Sequence, residues 1–234
     1  LNKGIDISYA GCGLPYYVGG MIESPEELIV NTPAKYTGLT GVRVVTGMEA
    51  VGLDAEKKTV LFANGEEVSY DKLVIATGAY PFVPDLPGTG LEGVFTVRTP
   101  EDAIGIRAYV DSKKCRSAVI VGGGFIGLEI AENLLAKGLK VAVVDMASQL
   151  LPNLFDFEVS DYIRRHLQAK GVRVVTGTAL KGIYGKEGGL KVSTSALDLD
   201  ADLAVLAIGI RPATEWLAGS GIELVNGAVA TDSF

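Results

Sequence analysis

Ala118-Val119-Ile120-Val121-Gly122-Gly123-Gly124-Phe125-Ile126-Gly127 is the stretch on which the fold turns. Four apolar residues in a row read as a strand buried on both faces. Gly122, Gly124 and Gly127 then satisfy G-x-G-x-x-G, and residues 126–137 hold good helix formers. A second apolar strand, Val141-Ala142-Val143-Val144, ends on Asp145, eighteen residues after Gly127. Strand, glycine loop, helix, strand and acid in that order predict a βαβ unit that binds a dinucleotide. Gly122 is expected to make the tight turn and Gly124 to let backbone approach a pyrophosphate. Gly127 is expected to let the helix pack on the strand, and the helix N-terminus attracts the phosphate charge. Gly123, Phe125 and Ile126 complete the loop. Asp145 is expected on the adenine ribose hydroxyls. Met146, Ala147 and Ser148 follow it with no arginine for a 2′-phosphate, which favours NADH over NADPH.

Two neighbours of the loop keep two readings each. Glu129 is either a carboxylate that suits the helix dipole or a group near the nicotinamide. Phe125 is either a cover for the nicotinamide pocket or a core aromatic, and composition favours the core.

The pattern continues on both sides. Thr99-Pro100-Glu101-Asp102 starts a helix that should run to about residue 110. Residues 157–170 are amphipathic and helical, and 172–175 read as a strand. Two short strands are expected around 182–184 and 190–193. Earlier in the chain, 42–45 and 57–63 read as strands, and Asn64-Gly65 signals a two-residue hairpin to 67–70. Ser24-Pro25-Glu26-Glu27 and Thr32-Pro33-Ala34-Lys35 look like helix starts. Residues 81–93 are rich in proline and glycine and read as a connector. Alternating helices and apolar strands predict an α/β protein with parallel, doubly wound sheets.

One further pattern is repeated. D-x-x-x-x-A-x-G-x-x-P occurs from Asp71 to Pro81 and again from Asp202 to Pro212, 131 residues on. Each copy is an apolar strand that stops on a glycine turn, at Gly78 and at Gly209. The first copy implies a buried strand at 73–76. The repetition suggests two related domains, of which only the second has the glycine loop ahead of it in the chain.

Bulk properties exclude several classes. A net charge of -7 argues against a nucleic-acid partner, because phosphate backbones reward a basic face. Cys12 and Cys115 are far apart and form no CxxC, so neither the usual zinc spacing nor a disulfide framework is present, and no metal is expected. That cysteine usage suits a cytoplasmic protein. The apolar stretch 118–136 is interrupted by Gly122-Gly123-Gly124, Glu129 and Glu132, which argues against a membrane span. His166, the only histidine, sits between Arg165 and Leu167 on a polar helix, so triad hydrolysis has little support.

Cys12 lies in Ser8-Tyr9-Ala10-Gly11-Cys12-Gly13-Leu14-Pro15-Tyr16-Tyr17-Val18-Gly19-Gly20. Flanking glycines leave its sulfur accessible, and Pro15 places it near a helix start, where the dipole would favour thiolate. The alternative is an inert small core residue. Cys115 has basic neighbours and nothing else to mark it, and is read as incidental.

Taken together, Ser8 to Gly20, Ala76-Thr77-Gly78-Ala79, Gly122 to Glu129 and Ala207-Ile208-Gly209 resemble flavin-dependent pyridine nucleotide–disulfide oxidoreductases. The lone cysteine before Gly-Leu-Pro-Tyr-Tyr is similar to the coenzyme A-disulfide reductase and NADH oxidase/peroxidase branch, which uses one redox cysteine where glutathione reductase uses a CxxxxC pair. The resemblance implies electron flow from NADH through FAD to Cys12, with Glu129 and Phe125 near the nicotinamide. The oxidised form would be a mixed disulfide with coenzyme A, or a sulfenic acid in an oxidase or peroxidase. It places Thr77, Gly78 and Ala79, with Ala50, along FAD, and Gly209 along NAD. Ser8, Gly11 and Lys35 fall at substrate positions. Gly11 stands where many relatives have asparagine.

The implied architecture is two Rossmann-like domains of the three-layer ββα type, the NAD domain inserted in a truncated FAD domain. Expected boundaries are 1–96 for a partial FAD domain with the redox cysteine, 97–221 for the NAD domain and 222–234 for the return. Gly122 precedes Gly209 by 87 residues, and the same offset from Gly78 falls upstream of Leu1. The FAD phosphate loop is therefore expected before this chain, and a C-terminal domain that makes the parent a homodimer after it. The acceptor is expected to be a small-molecule disulfide, peroxide or oxygen. The competing reading is an inert nucleotide-binding module in which Cys12 is structural.

Overall fold

The structure, a computed structural model, describes residues 1–232 in two compact units. One unit comprises Ala10–Leu28 and Pro81–Gly209. The other comprises Leu1–Tyr9, Ile29–Tyr80 and residues from 210 onward. The contact-defined limits fall at 80/81 and 209/210, and the cysteine segment Ala10–Leu28 groups with the nucleotide unit, where it packs with the helices.

In that unit the helices are α1 (Leu14–Gly19), α3 (Pro100–Lys113), α4 (Phe125–Ala136) and α5 (Phe157–Ala169). Its strands are β5 (Val94–Phe95), β6 (Ser117–Val121), β7 (Lys140–Val144), β8 (Arg173–Val175) and β12 (Leu203–Leu206). These five form one parallel sheet in the order β5-β12-β6-β7-β8, with Ser117 opposite Lys140 and Val121 opposite Val144. An antiparallel sheet of β9 (Leu180–Lys186), β10 (Gly189–Thr194) and β11 (Asp198–Ala201) covers one face. Alternation along the strands makes this possible: Val119, Val121, Val144 and Leu206 meet Ile183, Leu190, Val192 and Leu199. The buried Ile106, Ile130 and Leu134 belong to the helices. Sheet, sheet and helices give the three layers of an α/β fold with Rossmann-type topology.

Helix starts follow their sequence signals. Thr99 accepts from Asp102 N, and the Asp102 side chain reaches back in a capping box ahead of Pro100. Asp156 caps α5 through Val159 N at 3.2 Å.

The sheet begins with a clamp. Asp202 Oδ2 accepts from Arg116 N at 2.7 Å, Ser117 N at 2.9 Å and Ser117 Oγ at 3.0 Å. Ser117 Oγ in turn accepts from Asp202 N at 3.1 Å. The first residues of β6 and β12 are thereby fixed side by side. Partial burial opposes ionisation of Asp202, but the donors of Arg116 and Ser117 together hold its carboxyl below the ordinary range.

The other unit contains α2 (Pro33–Thr40) and an antiparallel sheet of β1 (Ala50–Asp54), β2 (Thr59–Phe62) and β3 (Glu67–Ser69). Met48, Val60 and Phe62 form its small core, with Trp216 packed against them. The expected two-residue hairpin at Asn64-Gly65 is a three-residue loop, closed by Phe62 N to Glu66 O at 2.9 Å, with Gly65 at φ 84°. Residues 24–27 give only a 3-10 turn, Pro25–Leu28. Two segments expected here to be strands have no regular secondary structure instead. Residues 42–45 join no sheet, though Val45 O accepts from Asn2 N. Residues 73–76 join none either, and Val74 is 87% exposed. An apolar run becomes a strand only where a neighbour takes its backbone groups in succession, and among the described residues the single bond from Asn2 N to Val45 O does not make a ladder.

Beyond Gly78 and Gly209, β4 (Ala79–Pro81) pairs with β13 (Ile210–Pro212) in a two-stranded ribbon. Phe82 N donates to Gly209 O and Ala213 N to Gly78 O, each at 2.9 Å. A hairpin of β14 (Leu224–Val225) and β15 (Ala228–Val229) follows, with Asn226 and Gly227 at φ 52° and 81°. Among the described residues no helix is long and apolar enough to cross a membrane.

Candidate nucleotide and thiol sites

Gly122, Gly123 and Gly127 each have a physical reason to be glycine. Gly122 adopts φ 115°, and a Cβ there would lie 2.2 Å from Ala207 O. A Cβ on Gly127 would lie 2.0 Å from Gly122 O, which is how closely α4 approaches the turn. Gly123 is held by the segment after β7. Its N–H donates to Asp145 Oδ2 at 2.6 Å, its carbonyl accepts from Leu151 N at 3.2 Å, and a Cβ would strike Leu150 Cδ2 at 2.5 Å. Leu151 takes φ 50° to do this, a conformation unusual for leucine.

Gly124 is different. It is the N-cap of α4, makes no side-chain cap, and a Cβ built on it meets nothing within 4 Å. The N–H groups of Phe125 and Ile126 have no acceptor among the described residues, and the first turn carries no acid. An open N-terminus with free donors fits a pyrophosphate. Phe125 and Ile126 are 55% and 43% exposed, so Phe125 is not the core aromatic that composition favoured. Helix α4 turns its buried stripe, Ile130, Ala131 and Leu134, inward and leaves its first residue at the rim.

Asp145 directly follows β7, half-buried, with Oδ1 accepting from Ala147 N at 2.7 Å. Both oxygens already order the loop, and each keeps a lone pair for a ribose hydroxyl. Glu129 is half-buried on α4. Its carbonyl accepts from Asn133 Nδ2 at 2.8 Å, while its carboxylate has no partner among the described residues. Gly209, at φ 124°, closes the edge of this unit.

Cys12 belongs to the same unit. It lies exposed in the 3-10 turn Gly11–Gly13 that leads into α1, with Gly11 exposed beside it. Cys12 is therefore not part of the core of this unit. Helix α1 is fixed on two sides. A Cβ on Gly19 would lie 2.5 Å from Asn133 Oδ1, so α1 and α4 approach closely there. From α3, Arg107 Nη1 donates to Tyr17 O at 3.3 Å, Ile22 O at 2.9 Å and Glu23 O at 3.1 Å, and its guanidinium lies 4.6 Å from the Tyr17 ring centroid. Nothing in the sequence marked Arg107 or Asn133, since single polar residues on helices read as solvated.

Cys115 is half-buried, and burial pushes its thiol up from the usual value. His166 is exposed on α5, stacked on Tyr162.

The remaining predicted residues lie in the other unit. Ser8 O accepts from Val30 N at 2.9 Å. Lys35 is in the first turn of α2, where Thr32 caps its N–H at 3.2 Å and its Nζ donates to Val30 O at 3.0 Å. Thr77 Oγ1 donates to Ala213 O at 2.7 Å. Ala50 and Thr77 line a cavity of about 730 Å³, with Met48, Tyr70, Ile75 and Trp216. Trp216 Nε1 is buried there without an acceptor among the described residues. That unit contains no strand–glycine loop–helix among its described residues.

A three-layer unit built on a parallel sheet, with an open glycine loop after its β6 strand, defines an α/β protein of Rossmann type. The chain belongs to the pyridine nucleotide-disulphide oxidoreductase family, whose model matches residues 2–234. It is similar to an NADH oxidase of Methanocaldococcus jannaschii, 34% identical over 98% of this chain and 52% of that protein. It is also similar to an NAD(P)H coenzyme A polysulfide/persulfide reductase of Pyrococcus horikoshii, 36% identical over 97% of this chain and 51% of that one. Among solved structures, reduced Bacillus anthracis CoADR-RHD matches with TM-score 0.90 and 34% identity, over 97% of this chain and 42% of that one. The chain thus spans about half the length of the curated relatives it matches.

Proposed function

We propose that this chain is the electron-input part of an NADH-dependent flavoprotein that reduces a disulfide such as coenzyme A disulfide through Cys12. The observation that carries this reading is the exposed Cys12 in the same compact unit as the open glycine loop. Gly122 to Gly127 hold the NADH pyrophosphate at the start of α4, Asp145 takes the adenine ribose, and Phe125 and Glu129 border the nicotinamide. When bound, FAD supplies two-electron transfer between NADH and a sulfur centre. Ala50, Thr77, Gly78 and Ala79 would lie along it. With no phosphate cradle for FAD among its described residues, the chain binds NADH and retains FAD poorly.

The Cys12 thiolate attacks one sulfur of the substrate disulfide, forms a mixed disulfide and expels the other half as a thiolate. Two electrons and a proton then free the second thiol and restore Cys12. Ser8, Gly11 and Lys35 are the substrate-side residues of this proposal, which also includes cytoplasmic residence and a homodimeric parent.

A Cys12→Ser chain should lose exchange with coenzyme A disulfide and keep its affinity for NADH, read by coenzyme A release and by NADH fluorescence. Unchanged exchange would remove Cys12 from the mechanism and leave an inert nucleotide module. The name of the Methanocaldococcus relative favours a second reading, reduction of oxygen or peroxide through a Cys12 sulfenic acid. Trapping that acid with dimedone after peroxide treatment, with no coenzyme A adduct formed, would select it.

A further inference from the structure

We propose that Arg107 is the positioning residue of the Cys12 segment, an inference that rests on the redox reading of Cys12. Helix α1 has six residues, too few to hold a helix unaided. Its first residue follows the Gly11–Gly13 turn that carries Cys12, and its last carbonyls need partners from elsewhere. Gly20, at φ 89°, closes the helix and donates to Tyr16 O and Tyr17 O. The chain then reverses through Ile22 and Glu23. Arg107 Nη1 shares its two N–H groups among three carbonyls from either side of that reversal, Tyr17, Ile22 and Glu23.

The same guanidinium covers the ring of Tyr17, which is 7% exposed. A cation at the carbonyl end of a short helix also opposes its dipole. The fixture is therefore electrostatic and directional rather than a matter of bulk. It acts from α3, which is not part of the glycine loop.

On the opposite side α1 rests on Asn133. This buried amide donates to Glu129 O and brings its oxygen against Gly19. Arg107 pulls the reversal onto α3, and Gly19 lets the helix lie against α4. Between them they hold the turn bearing Cys12 at one place on the nucleotide unit. Arg107 touches neither the thiol nor the loop. Its contribution is to the sulfur's location and not to NADH affinity.

The test uses the 234-residue chain with Cys115→Ser throughout, so that Cys12 is the only thiol. Arg107→Met keeps length and apolar stem but removes the charge and the donors. Arg107→Lys keeps a charged donor. We expect Arg107→Met to slow exchange of Cys12 with coenzyme A disulfide about tenfold, while the NADH dissociation constant stays within twofold. Arg107→Lys should recover most of that loss, and Gly19→Ala should reproduce it from the α4 side. Equal rates in wild type and Arg107→Met overturn the proposal. So does a Lys variant no better than Met, or an NADH affinity that falls in step with exchange. If Arg107→Met does not fold, the Lys and Gly19→Ala pair carries the same comparison. A wild-type chain that exchanges no faster than glutathione would instead sink the redox reading of Cys12, whatever the variants do.

Discussion

The two copies of D-x-x-x-x-A-x-G-x-x-P have nearly the same chemistry and opposite structural fates. In the second, Asp202 fastens the start of β12 to the start of β6, and Leu203–Leu206 becomes a fully buried central strand. In the first, Asp71 is exposed and makes no hydrogen bond among the described residues, and 73–76 runs beside a cavity without strand partners. What separates them is the neighbour. An acidic residue at a strand start is a clamp only if two backbone N–H groups arrive opposite it.

Amide exchange should show the largest contrast. Residues 203–206 should be protected about a thousandfold or more beyond 73–76, because the first set exchanges through global opening of its unit and the second through water already present. Comparable protection of both segments would mean that 73–76 is paired in solution. Charge insertion comes next. Val205→Asp places an unpaired carboxylate at a position 0% exposed and should unfold the nucleotide unit in urea at a cost of about 3–5 kcal/mol. Val74→Asp, at the matching position of the first copy, should change stability by no more than about 0.5 kcal/mol. Removing the clamps is a smaller perturbation. Asp202→Ala leaves two backbone donors without their acceptor and should cost about 1–3 kcal/mol, against nearly nothing for Asp71→Ala.

The last effect is on acid stability. The Asp202 carboxyl is depressed in the folded chain, so its contribution is present above the ordinary aspartate range, about 3.9. It is lost as pH falls through the lower folded-state value. Asp202→Asn should therefore flatten the acid limb of a urea-midpoint-versus-pH curve, and Asp71→Asn should leave it unchanged. Identical curves for wild type and Asp202→Asn would remove the clamp from the stability of the sheet.

The same contrast explains what could be foreseen. Helices α3, α4 and α5 and strands β6, β7 and β8 were legible because each announces itself locally, by a cap, a period or a glycine loop. The run at 73–76 carried an equally clear strand signal. Hydrophobicity records where a segment would be stable, whereas the hydrogen bonds that make it a strand depend on another segment's presence. The composition reading of Phe125 as core failed for a related reason. An aromatic reads as core, but its place at the mouth of a helix is set by the loop before it. Arg107, Asn133 and the left-handed Leu151 were invisible because each acts on backbone atoms that every sequence has. The repeat is plain in the sequence, yet the work of its aspartate depends on Arg116 and Ser117 standing opposite it.

The ribbon after the two glycines carries a different consequence. Phe82, four residues past Gly78, donates to the carbonyl of Gly209, and Ala213, four residues past Gly209, donates to that of Gly78. Each tail measures its length against the other's glycine. A one-residue insertion or deletion in either tail would shift one donor off its acceptor while leaving the other in place, so only paired changes keep both bonds. Over evolutionary time the tails are thus free to drift in side chain and bound to each other in length, and any descendant of this repeat should show two tails that grow or shrink together.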